Sequence, residues 1–346
     1  MRITAADLFC GAGGTSTGLA LACAELGIGL DLTAINHWQV AIDTHSRNHP
    51  TAKHICAKLD TIEPRSVVPS GRLNLLIGSP ECTQHSNAKG GRPREDQSRS
   101  QAWIILHWAQ ALYIDGMILE NVREWLDWGP LGVDGKPLKC GKGQLFSAFL
   151  NSLKAAGYNV EWRILNAADY GDATTRQRVI VQAQRRKAIV WPEPTHAQGT
   201  SFDTMEWRAA RDIIDWQLPL PEIASRTRPL APNTMARIEK GIRKFGCRPF
   251  LISYYGNGDA LSIDDPLDTV TTKDRFALVV PGPYICYRML QPHELAAAMG
   301  FPESYDFAGG KADAVKQIGN AVPVNMAKAL CSCILQSAQR TAEVAA

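Results

Sequence analysis

Apolar positions along this chain fall into short blocks whose spacing switches between two periods. Ile3, Ala5, Ala6, Leu8 and Phe9 make a compact run that predicts a strand over Ile3–Phe9. Leu19, Ala22, Cys23 and Leu26 recur every three or four residues and predict a helix over Thr15–Leu26. Gly11–Gly14 between them reads as a turn. The alternation continues with a strand over Leu32–Ile35, a helix over Val40–Arg47, a strand over Leu73–Ile77, a helix over Trp103–Tyr113 and a strand over Met117–Leu119. Strands separated by helices build a sheet covered on both faces, so the first half predicts a doubly wound, Rossmann-like α/β domain. After about Arg185 the pattern breaks at Pro192, Pro194, Pro219, Pro221, Pro229 and Pro232, as expected of a smaller, irregular domain. Amphipathic helices return over Gln291–Met299 and Val324–Gln339. The expected division is a catalytic unit of residues 1–185 plus 284–346 around a smaller unit of 186–283.

Composition adjusts this picture only slightly. With 346 residues, 45% hydrophobic and 21% charged, the chain can bury a large core. No uninterrupted apolar stretch reaches the length of a membrane span, and Met1–Asp7 runs directly into a strand pattern, which favours the cytoplasm. Nine cysteines without paired metal-ligand spacing argue against a disulfide framework and against a bound metal. The net charge of +3 names no partner. Its distribution is uneven, with twelve Lys or Arg against seven Asp or Glu between Arg185 and Arg248; a solvated face would explain that excess as readily as a bound polyanion.

Two stretches carry candidate chemistry. Leu73 to Cys82 is an apolar strand that stops at Gly78-Ser79-Pro80 and delivers one cysteine into a polar loop, and parallel strands place reactive residues just past their carboxyl ends. Cys82 is therefore set to react. Asp7-Leu8-Phe9-Cys10-Gly11-Ala12-Gly13-Gly14 is a glycine turn entering a helix, where a ligand can approach backbone amides, although its spacing is not that of dinucleotide binders. Phe9 and Trp38 would offer aromatic faces to a flat ring and Asp60 could accept a hydrogen bond from an exocyclic amine, which describes an adenine.

The order of further motifs is more specific than any one of them. Asp7–Gly14, Pro80-Glu81-Cys82, Glu120-Asn121-Val122, Thr174-Thr175-Arg176-Gln177-Arg178, Arg288 through Gly300-Phe301-Pro302, and Gln317 to Pro323 resemble, in order, blocks of the C5-cytosine DNA methyltransferase family. The resemblance skips only the proline-rich middle, where that family carries its target-recognition domain. It implies a DNA (cytosine-5-)-methyltransferase using S-adenosylmethionine, with S-adenosylhomocysteine as product. It implies catalytic roles for Cys82, Glu120, Arg176 and Arg178, and cofactor contacts from Phe9, Gly11, Ala12, Gly14, His37, Trp38, Asp60, Thr61, Pro80 and Asn320. DNA contacts are expected from Ser86, Lys89, Arg92 and Arg94 in the loop after the nucleophile, and from Thr271, Thr272, Lys273 and Arg275 in a threonine-containing recognition element. The expected partner is double-stranded DNA bound by a monomer, with a cognate restriction endonuclease as a further candidate.

Residue chemistry supports the transfer. Cytosine C5 is too weak a nucleophile to take a methyl group directly, so a thiolate must first add to C6. A free thiol has a pKa of about 8.5, so Cys82 needs stabilising neighbours. Glu120 suits the N3 edge of the base. Arg176 and Arg178, alternating into Val179-Ile180-Val181, are expected on one face, where one or both hold the base carbonyl and orient Glu120. The base must also be rotated out of the duplex, and the loop Gln84–Ser100 is placed to help. The chain departs from the family at His37, where a glutamate is usual, at Glu81 and Thr83 beside the nucleophile, and at Thr174. Two alternatives remain open at this point, an RNA cytosine-5 methyltransferase of the same family and a catalytically silent DNA-binding regulator.

Overall fold

The computed structural model describes residues 1–80, 101–132, 138–185, 187–199, 202–254 and 260–344, with side chains as far as residue 337. Among the described residues, seven strands form the main sheet: β1 Arg2–Leu8, β2 Gly29–Asn36, β3 Lys53–Cys56, β4 Arg72–Gly78, β5 Tyr113–Asn121, β6 Asn159–Asn166 and β7 Gln177–Gln184. Their order is β3-β2-β1-β4-β5-β7-β6. β1 to β5 are parallel, whereas β7 runs antiparallel to both β5 and β6. The sheet is mixed, with the reversal confined to one strand.

Strand periodicity sends alternate side chains to opposite faces. Ala6 and Leu8 of β1 and Val179, Val181 and Ala183 of β7 join one core, beneath Ile105 and Trp108 of α4 (Gln101–Ala111) and Phe149 of α5 (Gln144–Ala155). Ile3, Ala5 and Ile180 join the other, with Leu19 and Ala22 of α1 (Gly14–Glu25) and Met326 and Leu330 of α9 (Val324–Val344). α2 (Gln39–Asn48) and the single turn α3 (Pro64–Val67) complete the first half. β6 alternates Val160, Trp162 and Ile164 with Asn159, Glu161 and Arg163, and most of it is exposed at the sheet edge, Trp162 by 43%. It is held by its ladder to β7 and by Trp162 against Phe146 of α5.

The middle of the chain contains more regular structure than its prolines suggest. The two-residue strands β8 (His196–Ala197) and β9 (Met205–Glu206) pair with each other, and α6 (Pro232–Phe245) packs on a four-stranded antiparallel sheet. That sheet comprises β10 Phe250–Ser253, β11 Ala260–Ser262, β12 Phe276–Val280 and β13 Cys286–Met289, in the order β11-β10-β12-β13. β13 lies beyond residue 283, because its backbone pairs with β12 from Ala277↔Met289 to Val280↔Cys286. The smaller sheet therefore continues into sequence expected to belong to the catalytic unit. Leu251, Phe276 and Leu278 of this sheet share one core with Leu295 and Met299, around α7 (Pro292–Ala298), and Ile318 of α8 (Lys311–Asn320). α7 and α8 thus join the two sheets. The apolar stretch Lys311–Ser337 is long enough to cross a membrane by length and composition, but it is 61% buried in the protein and is broken between α8 and α9.

A buried ion pair anchors α7. Arg288 meets Glu294 with its two terminal nitrogens at 2.7 and 2.8 Å, and the Glu294 carboxylate also accepts the backbone N–H groups of Asp215 and Gln291. Removing one partner strands the other charge in a site where Glu294 is fully buried. Glu294→Ala should cost about 3–5 kcal/mol of stability, read by chemical denaturation, and a loss below about 1 kcal/mol would show that the pair is dispensable.

Candidate active site

The carboxyl edge of the parallel strands gathers the expected site. β1 leads into Phe9, β4 into Ser79-Pro80, and Glu120 is the penultimate residue of β5. Because β7 is antiparallel, its first residues begin on this same edge. Glu120 stands opposite Ile180 in register, and Arg178 lies two residues away on the same face, a diagonal pair. Arg178 Nε meets Glu120 Oε1 at 2.9 Å, with the side chains 10% and 12% exposed. A small cavity lined by Thr15, Ile77, Ser79, Ile118, Glu120, Ile180 and Val322 leads from this carboxyl toward the first turn of α1.

Asn121 has a role that the sequence did not disclose. Its Nδ2 donates to the Pro80 carbonyl at 3.2 Å while its Oδ1 accepts the Val122 N–H at 2.8 Å. It therefore fixes Pro80, the last described residue before Cys82. Cys82 itself lies outside the described residues, as do Glu81, Thr83, Ser86, Lys89, Arg92 and Arg94.

The two arginines separate. Arg178 reaches Glu120, but Arg176 is 3% exposed and donates to the Val270 carbonyl at 2.7 Å and the Gly319 carbonyl at 2.9 Å. They do not converge on Glu120, because Arg176 precedes β7 and lies where the chain pairs with 267–270 instead. Thr174, the departure from the family pattern, is buried there with its hydroxyl donating to the Asp268 carbonyl at 3.0 Å.

The glycine turn is only partly open. Phe9 adopts a left-handed conformation at φ 65°, costly for an aromatic residue. At Gly11 an added Cβ would meet nothing nearer than 4.0 Å, leaving room for a ligand against the backbone. At Gly14 the same atom would lie 2.2 Å from the Val322 carbonyl oxygen, so that glycine lets α1 press on the loop before α9. Ala12 is 2% exposed, and its carbonyl accepts the Tyr305 hydroxyl. Gly14 and Ala12 thus shape the turn through packing. Trp38 precedes α2 half-buried, with the Lys316 ammonium 4.0 Å from its ring centroid. His37, Asp60, Thr61 and Asn320 are exposed, and Pro80 is buried.

Burial shifts several titratable groups toward their neutral forms. Burial pushes the Asp7 carboxyl up to about 7 despite the Ser16 hydroxyl donated at 2.6 Å, and pushes Asp172 up to about 8 although it accepts the first N–H groups of α9. Burial lowers His45 to about 2 and His49 to about 4, with neighbouring histidines adding to both. Folding takes up protons at the carboxyls, so their contribution is complete below pH about 4 and is lost as pH rises through 7 and 8. Neutral histidines act oppositely, stabilising above their ordinary value of 6.5 and losing this as pH falls toward 4 and below. Stability should vary little between pH 4 and 6.5 and then decline to about pH 8. Denaturation midpoints over this range test it. Asp7→Asn should flatten the decline, and an unchanged slope would count against the assignment.

In the threonine-containing stretch expected to contact DNA, Thr272 and Lys273 are exposed, and the Thr271 hydroxyl donates to the Lys273 carbonyl at 3.1 Å. Arg275 donates to the Tyr254 carbonyl at 2.8 Å, which directs one terminal nitrogen into the small sheet. Among the described residues no group of three or more His, Cys, Asp or Glu is arranged to hold a metal.

The sequence profile described as C-5 cytosine-specific DNA methylase matches residues 3–336. The chain belongs to this family. It is 26% identical to the Type II methyltransferase M.SacI of Streptomyces achromogenes over 381 residues, covering 95% of this chain and 92% of that protein. It is 28% identical to the Type II methyltransferase M.BspRI of Lysinibacillus sphaericus over 372 residues, covering 96% and 81%. Among solved structures, the Entamoeba histolytica methyltransferase EhMeth superposes with a TM-score of 0.66 at 14% identity, covering 98% of this chain and 99% of that one. The S. pombe Dnmt2 methyltransferase gives 0.65 at 18%, covering 97% and 99%. The protein is a DNA (cytosine-5-)-methyltransferase with a Rossmann-like catalytic fold.

Proposed function

We propose that this methyltransferase uses S-adenosylmethionine to methylate a cytosine rotated out of double-stranded DNA, with Cys82 as nucleophile and Glu120 and Arg178 as its partners. The observation that carries the reading is the 2.9 Å pair of Arg178 and Glu120 at the sheet edge where Asn121 holds Pro80, two residues before Cys82. The residues present fit the cofactor. Space opens at Gly11, Trp38 presents a partly exposed ring, and Asp60 and Thr61 face outward on a short turn. Phe9, Gly11, His37, Trp38, Asp60, Thr61 and Asn320 would hold it directly, with Ala12, Gly14 and Pro80 supporting their backbone. When bound, S-adenosylmethionine supplies an electrophilic methyl group.

The chain's own groups prepare the base. The Cys82 thiolate forms an S–C6 bond, and the π electrons of C5=C6 become available at C5. A proton held by Glu120 at N3 offsets the negative charge that reaches the ring. Arg178 keeps that carboxyl in place, since a guanidinium fixed by strand backbone has little freedom to turn away. After methylation, loss of the C5 proton to a base and departure of the Cys82 sulfur restore the ring. Ser86, Lys89, Arg92 and Arg94 contact backbone phosphate, and Thr271, Thr272, Lys273 and Arg275 face the target sequence. The unit of residues 186–283, extended through β13, is the recognition domain. The enzyme works as a cytoplasmic monomer and protects DNA from a cognate endonuclease.

Tritium transfer from labelled S-adenosylmethionine to unmethylated plasmid DNA tests this reading, with transfer RNA as the competing substrate. Label in duplex DNA is expected, and label in RNA alone would overturn the choice of substrate. Bisulfite sequencing of DNA from an expressing host then identifies the target.

A further inference from the structure

α8 lies against both regions assigned above. Its C-terminal end is pressed onto the recognition element: a Cβ on Gly319 would stand 2.3 Å from the Thr271 carbonyl carbon and 2.4 Å from the Thr272 nitrogen. Only a residue without a side chain can lie so flat on that peptide. At its N-terminal end Lys311 meets the Asp274 carboxylate at 3.3 Å, so the helix is tied to the same element twice. Its exposed stripe turns elsewhere. Lys316 and Asn320 are one turn apart and share a face, and Lys316 covers Trp38 at 4.0 Å.

Arg176 pins this arrangement. Its planar fork spans the carbonyls of Val270 and Gly319, one on the recognition element and one on α8. Just before it, the Thr175 N–H donates to the Leu267 carbonyl at 2.8 Å and the Thr174 hydroxyl to Asp268. Two residues after it, Arg178 holds Glu120. Chains of packed side chains and buried hydrogen bonds of this kind are the material through which two sites are coupled energetically.

We propose that α8, pinned by Arg176, couples duplex engagement at Thr272 and Lys273 to the affinity for the adenosine end of S-adenosylmethionine at Trp38, an inference that rests on those two contacts as proposed above. Arg176 is a positioning residue in this scheme, acting through Gly319 and Val270. Linkage makes the effect reciprocal, so the cofactor tightens DNA binding by the same factor that DNA tightens cofactor binding.

Calorimetric titration of S-adenosylhomocysteine into the full chain, with and without a duplex carrying the sequenced target, measures the coupling with no turnover. In the wild type the duplex should tighten binding by about 5- to 150-fold. Lys316→Ala removes an exposed side chain and should retain the fold while bringing the ratio to within about twofold of unity, under the lower end of ordinary coupling. Arg176→Lys keeps the charge but cannot span two carbonyls, and should lower the ratio less than Arg176→Met. If the Arg176 variants do not fold, Lys316→Ala decides alone. Equal affinities with and without duplex in the wild type, or undiminished coupling in Lys316→Ala, overturn the proposal. Failure of the wild type to bind S-adenosylhomocysteine or duplex at all is a different result, which removes the site assignment and the coupling with it.

Discussion

Cys82→Ala is expected to abolish methyl transfer while leaving S-adenosylhomocysteine binding within a few-fold of the wild type. Without a thiolate to add at C6, C5 never gains the electron density that attacks a methyl group. Cofactor binding should survive, because Gly11, Trp38, Asp60 and Thr61 follow β1, β2 and β3, separate from the strand that leads to Cys82. A duplex with 5-fluorocytosine at the target gives the complementary result. Fluorine at C5 cannot leave as a proton does, so the S–C6 bond persists after methylation and wild-type protein should migrate as a covalent complex on a denaturing gel. Substantial activity in Cys82→Ala, or no adduct with the wild type, would sink the mechanism.

Glu120→Gln should lower the turnover rate by about a hundredfold or more, the ordinary range for a positioned proton donor, without a comparable loss of DNA affinity. The amide keeps the shape and can still meet Arg178, but it holds no transferable proton. Arg178→Ala should also slow turnover, through lost placement of an intact Glu120. Comparing the two separates chemistry from positioning: Glu120→Gln in combination with Arg178→Ala should be little worse than Glu120→Gln alone, because two residues acting as a unit lose their effect together. Fully multiplicative losses would show that they act independently, and an unchanged rate in Glu120→Gln would leave that residue a structural role.

The consequences of the Arg176 geometry reach beyond the reacting centre. The segment from Thr174 to Arg178 touches the recognition element, α8 and Glu120 within five residues. In the function proposed above, sequence sensing and base activation share this piece of backbone, and substitutions in it should then alter specificity and rate together.

Local pattern by itself determined the parallel strands and their helices, since Ile3–Phe9 and Leu73–Ile77 are compact apolar runs and Leu19, Ala22 and Cys23 of α1 recur at helical spacing, and these bury on the faces of one sheet. Motif order determined the family and singled out Cys82 and Glu120, because reactive residues sit just past strand ends and can be counted from them. What periodicity could not show was structure held by partners. The strands of the small sheet run only three to five residues, too short to announce a period, and they stand through their ladders and the core they share with α7 and α8. Tertiary structure alone decided that β7 reverses, which brings Arg178 to Glu120 and leaves Arg176 for the carbonyls of Val270 and Gly319. It alone decided that Gly14 and Gly319 are close-packing glycines and that Asn121 holds Pro80. The physical reason is common to all of these: a side chain's type and period are local properties, whereas the carbonyl or carboxylate that it meets is supplied by a segment tens to hundreds of residues away.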